Sequence, residues 1–132
     1  MVKISRLVLA PATALMVVAT SGCSGSAGGF SDLTSPDVAG IELPTNLPEN
    51  ALEGFEINSA RWVGASADAD VWLAKGKEHP VCFLSYSTER WFSACGSGGT
   101  YALGEETYWI VPDGGAVPTD AAPVSRNVYR SS

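Results

Sequence analysis

Cys82 and Cys95 stand in two apolar runs, "VCFLSY" (Val81–Tyr86) and "WFSACG" (Trp91–Gly96), separated by the polar stretch "STER" (Ser87–Arg90). Four residues is a permitted length for a β-hairpin loop. With that loop Tyr86 faces Trp91, Leu84 faces Ser93 and Cys82 faces Cys95. Directly opposed residues at a non-hydrogen-bonded site have Cα atoms about 4.5 Å apart, at the near end of disulfide geometry. The turn alone sets this register, yet it brings the two thiols together. A cross-strand Cys82–Cys95 disulfide is therefore expected, contributing on the order of 3 kcal/mol through loop closure. The twelve intervening residues are unlike the C-x-x-C spacing of redox-active pairs. The bond is expected to be structural.

The same kind of run recurs on both sides of this hairpin. "ARWVGA" is followed by "SADAD", "VWLAK" by "GKEHP", and "TYWIV" ends at "PDGG". Short runs rich in Val, Trp, Tyr and Phe between turn residues predict an all-β fold. We expect a small antiparallel meander or partly closed barrel of about five short strands with one cross-strand disulfide. All four tryptophans fall between Trp62 and Trp109, so the core is expected in a domain spanning residues 51–112. A short helical turn at "NALEGF" would have Asn50 as its cap. A core this small hides little surface and gains from a covalent staple. Residues 113–132 read as a tail. Within it "APVSRNVYR" alternates Val124, Arg126, Val128 and Arg130, a pattern suited to an added edge strand with exposed charges.

Residues 1–22 carry a different signature. "MVKISR" holds two positive charges, "LVLAPATALMVVA" is apolar for thirteen residues, and "TSG" supplies small residues before Cys23. Thirteen residues of helix reach about 20 Å, short of the roughly 30 Å hydrocarbon core. The order of parts is that of an export signal. "TSGC", Thr20 to Cys23, resembles the bacterial lipobox, with Thr20 standing where leucine is usual. The resemblance implies a diacylglyceryl group on Cys23, palmitate-type acyl chains, and cleavage that makes Cys23 the mature N-terminus. Two chains anchor stably, which places the protein on the extracytoplasmic face of the bacterial cell membrane. Residues 23–50, rich in Gly, Ser, Pro, Asp and Asn, read as a flexible stalk. A lipobox, a stalk and a short cysteine-paired domain together are similar to small lipoproteins of Gram-positive actinobacteria.

The formal charge is −6, and without Lys3 and Arg6 six basic residues face fourteen acidic ones. Such a surface repels nucleic acid and anionic headgroups, so neither is an expected partner. "CGSGG" (Cys95–Gly99) resembles the glycine-flanked serine of trypsin-like proteases, but a base and an oxyanion site for Ser97 are not identifiable. His79 is the single histidine and brings no partners for a metal site. Asp68 and Asp70 lack the glycine and distal glutamate of a calcium loop. No cofactor is expected, and the protein is read as not an enzyme.

The proposed hairpin is apolar on both faces. Leu84, Tyr86 and Trp91 share one with the disulfide; Phe83, Phe92 and Ala94 share the other. Such a sheet is covered on both sides or keeps one side for a partner. Two readings stay open: the aromatics are all core, or Trp91, Tyr86 and Leu84 form a contact patch for an envelope protein or a glycan. The functional expectation is a non-enzymatic protein- or ligand-binding envelope module. The alternative is a small-ligand receptor with a tryptophan-lined pocket. "SGGTY…YWI" (Ser97–Ile110) is also similar to lysozyme-inhibitor lipoproteins, which are small disulfide-bonded β-barrels. That resemblance implies an inhibitor of a secreted hydrolase.

Overall fold

The computed structural model describes residues 29–35, 41–66, 68–88 and 90–131. The leader, Cys23, and residues 24–28 and 36–40 of the expected stalk lie outside them. The fold is all-β, in two antiparallel four-stranded sheets that do not close into a barrel. The first sheet is a meander of β1 (Arg61–Ser66), β2 (Ala69–Ala74), β3 (Val81–Ser87) and β4 (Arg90–Gly96). The second contains β5 (Gly99–Leu103), β6 (Glu106–Ile110), β7 (Ala121–Pro123) and β8 (Val128–Ser131), in the order β5-β6-β8-β7.

The β3–β4 hairpin has the register set by its turn. Tyr86 pairs with Trp91, Leu84 with Ser93 and Cys82 with Cys95, and the ladder runs one pair further to Ser87 and Arg90. The Cys82–Cys95 disulfide is present, with its Cα atoms 4.0 Å apart. Among the described residues eight strands exceed the expected five, because the "SGGTY" turn continues into β5 and the tail supplies two strands. The tail also departs from the expected single edge strand. Arg126 sits in the turn between β7 and β8, and β8 lies inside the sheet between β6 and β7. Val128 is accordingly fully buried. The "NALEGF" turn is a 3-10 turn over Glu49–Leu52 with Pro48 in the capping position.

The two sheets pack through their inner faces. Phe83 of β3 is the hub: its ring stacks on Tyr101 of β5 at 5.8 Å and meets Tyr108 of β6 at 5.3 Å and Phe92 of β4 at 6.2 Å. Val71, Leu73, Val81, Ile110 and Val128 complete this core. Fully burying one such side chain is worth about 1.5–3 kcal/mol. The opposite face of the first sheet holds a second cluster of Phe55, Trp72, Ala74, Cys82 and Leu84. Leu43, Leu47 and Leu52 pack over it.

These contacts correct the stalk reading for residues 29–35 and 41–50. Phe30 and Leu33 are buried in the inter-sheet core, and Leu43 and Leu47 cover the outer face of the first sheet. Trp72 Nε1 donates to the Ile41 carbonyl at 3.2 Å, and the Tyr86 hydroxyl donates to Asn46 Oδ1 at 2.9 Å. The short turn Ser31–Leu33 is tied to the end of the second sheet. Asp32 accepts from the Asn127 backbone N–H at 2.9 Å and donates its own N–H to Asn127 Oδ1 at 3.0 Å. The Asn127 side-chain amide then donates to the Val111 carbonyl and to Asp113. Asp113 also accepts from the Ser31 hydroxyl and holds the Gly29 carbonyl through its own N–H. Asn127 is 1 % exposed, and each of its polar groups is used, as burial demands.

Gly64 marks a β-bulge where β1 slips register against β2 between Trp62 and Gly64. A Cβ there would come 2.8 Å from Val124 Cγ1 and 3.0 Å from the Val124 carbonyl. Glycine is what lets β1 approach the β7–β8 turn.

Candidate ligand cleft

The ends of the inter-sheet core differ. At the end near Ile110 and Val128, Phe30 and Leu33 plug the space. At the other end a cleft of about 710 Å³ opens, lined by the ends of β1, β3 and β4 and by the β5–β6 turn. Its volume is in the range of small-ligand pockets.

Side chains reach this cleft because inward-facing positions of the strands turn polar there. Along β6 the inward residues are Glu106, Tyr108 and Ile110, so alternation carries a carboxylate onto the core side. Along β3 the inward series Val81, Phe83 turns polar at Ser85 and Ser87, and β1 ends at Ser66. Ser66 and Ser85 are 1 % and 7 % exposed. The Tyr108 hydroxyl donates to Glu106 Oε2 at 2.9 Å. Ser66 Oγ stands 3.5 Å from Glu106 Oε1, and the Arg130 guanidinium 3.9 Å from it. Burial pushes the Tyr108 hydroxyl above its ordinary value, Glu106 adds to the shift, and Ser66 and Ser85 oppose it. Tyr108 therefore stays protonated, a hydrogen-bond donor, throughout the neutral range. Phe92, Leu103 and Trp91 supply apolar lining, and Asp68, Ser87 and Arg90 complete the cleft.

The contact patch expected from sequence is not assembled as a unit. Leu84 is fully buried beneath the outer cover, which removes it from any contact surface. Tyr86 packs against the same cluster and spends its hydroxyl on Asn46. Trp91 is 39 % exposed and lines the cleft. The cleft is not tryptophan-lined in the expected sense. Trp62 and Trp72 belong to the outer cluster, and Trp109 pairs with Tyr129 on β8. Trp62 Nε1 also donates to Asp70 at 3.0 Å, so this aspartate has a structural partner. His79 lies in a separate depression beside Gly54, Phe55 and Cys95. Ser97 is exposed in the turn before β5.

Sequence reasoning missed Ser66, Ser85, Arg90, Glu106 and Tyr108 as a group. One signal was legible: in "ETYWI" a glutamate takes the same side as a buried tyrosine and isoleucine. Their meeting with β1 and β3 needed the second sheet. No protein-family model, curated protein or solved structure matches the chain.

Proposed function

We propose that this protein is a lipid-anchored, extracytoplasmic binding module of the bacterial envelope, non-enzymatic, with the inter-sheet cleft as its ligand site. The observation that carries the reading is the cleft itself. An otherwise apolar sandwich ends in an open space floored by Ser66, Ser85, Glu106 and Tyr108. A protein selected for stability alone gains by filling such a space with apolar side chains. The anchor rests on the order of parts in residues 1–22 and on the "TSGC" that follows the apolar run. Gly29 enters the fold at the plugged end, where its carbonyl accepts from the Asp113 N–H. Anchorage at Cys23 would thus leave the cleft at the end remote from the attachment.

Two measurements test the parts separately. Cells fed an alkyne-bearing fatty acid should label the wild-type protein and not Cys23→Ala; an unlabelled wild type removes the anchor. Small molecules extracted from purified envelope should raise the melting temperature of the protein by mass action. That rise should be lost in Arg90→Glu, an exposed change at the cleft. An equal rise in both proteins would place binding elsewhere.

A further inference from the structure

Charge and hydrogen-bonding capacity within the cleft narrow the ligand class. Glu106 and Asp68 bring two negative charges, and Arg90 brings a positive one. Arg130 stands behind the floor, 3.9 Å from Glu106. The four charges balance, although the chain as a whole is strongly acidic. A cationic ligand would meet Arg90, and an anionic ligand would meet Asp68 and Glu106. A neutral ligand meets neither penalty. Hydrogen-bonding demand is nevertheless high. A carboxylate offers about four acceptor sites, and Glu106 Oε1 has Ser66 and Arg130 no nearer than 3.5 Å. The Glu106 side chain is 31 % exposed, so this oxygen is open to an incoming hydroxyl donor. Arg90 and Ser87 can donate in return, while Phe92, Leu103 and Trp91 offer apolar surface.

We propose that the cleft takes a neutral saccharide unit, with ring hydroxyls donating to Glu106 and Asp68, accepting from Arg90, and the C–H face of the ring against the apolar lining. A sugar ring combines multiple donors and acceptors with an apolar face and no net charge. The proposal rests on the reading of the cleft as the ligand site.

The test titrates the full chain, held in a detergent without a sugar headgroup, with three probes of one ring size. N-acetylglucosamine is neutral, glucosamine below its amine pKa is cationic, and glucuronate is anionic. Calorimetry gives the affinities, and amide NMR shifts at Ser85, Phe92 and Leu103 report the place. The neutral probe should bind about tenfold more tightly than either charged one, with its shifts at those residues. Glu106→Gln, which keeps the shape, should weaken it about tenfold, the size of a lost hydrogen bond to a charged group. Arg90→Ala, an exposed change, should weaken it without altering the fold. Tightest binding by a charged probe, with shifts at the same residues, overturns the saccharide and keeps the cleft. Probes that leave those amides unmoved at their solubility limits overturn both readings.

Discussion

The two faces of the β1–β4 sheet are both apolar, and they are covered in different ways. The inner face meets a second sheet, so Phe83 is enclosed by Tyr101, Tyr108 and Phe92 on regular strands. The outer face meets loops and 3-10 turns drawn from residues 41–60, which lay Leu43, Leu47, Leu52 and Phe55 over Trp72 and Leu84. A strand ladder repeats its hydrogen bonds, whereas the loop cover is held at separate points: Ile41 to Trp72, Asn46 to Tyr86, Ser59 to Lys75 and Glu56 to Lys75. A small chain can thus bury a two-faced sheet without a second domain. It does so by drawing residues 41–60 over the outer face. The inner face also leaves one end open as the cleft, whereas the depression bordered by the loop cover beside His79 is smaller.

The greatest loss of stability should come from the hub of the inner face. Phe83→Ala should cost about 3–5 kcal/mol, as large-to-small changes at enclosed aromatics do. Phe55→Ala on the outer face should cost less, near the lower end of that range, because a loop can settle into the space where strands cannot. Urea denaturation of both variants checks the order, and a reversed order would make the loop cover the more rigid of the two. The disulfide should come next. Cys82→Ala with Cys95→Ala should lose about 3 kcal/mol. The loss should register first in hydrogen exchange at Gly54 and Phe55, since a Cβ on Gly54 would lie 3.1 Å from Cys95 Sγ.

A smaller effect is expected where the N-terminal turn joins the second sheet. Asn127→Ala should cost about 1–3 kcal/mol by leaving buried partners unsatisfied, measured again by urea unfolding. The smallest effect depends on pH. Hydrogen bonds from Ser31, then Asn127, hold the Asp113 carboxyl below its ordinary value. A depressed folded value means that the stabilisation is present above the unfolded carboxylate value of about 3.9 and lost as pH falls through the folded one. The stability difference between wild type and Asp113→Asn should therefore be constant near neutrality and change only below about pH 4. A difference that changed between neutrality and the carboxylate range would contradict this assignment.

Much of the first sheet was legible because local signals suffice for a meander. A turn at Ser87–Arg90 fixed which residues face one another, and the cysteine pair agreed with it. The second sheet was less so. β5 begins at Gly99, directly after Gly98, and only Tyr101 and Leu103 mark its inward side. β7 and β8 are three and four residues long, too short for alternation to separate from a single edge strand. The packing of residues 29–35 and 41–50 was not legible at all. Phe30, Leu33, Leu43 and Leu47 are scattered among Pro, Gly and Ser, without a period of two or 3.6. Each is buried by a contact distant in sequence. Leu84 was misplaced for the same reason: nothing local announces that residues 41–55 return to cover it. The cleft depended on both sheets, and of its polar floor only Glu106 left a trace in the pattern.

Everything said of the outer cover and the plugged end requires residues 29–35 and 41–47 to belong to the folded domain. Urea unfolding of two chains, one beginning at Ser24 and one at Pro48, both ending at Ser132, decides it. Loss of Phe30, Leu33, Leu43 and Leu47 should leave the shorter chain unfolded or several kcal/mol less stable, since each buried apolar side chain contributes about 1.5–3 kcal/mol. Equal midpoints and equal slopes for the two chains would refute that membership and return the segment to the role of a tether.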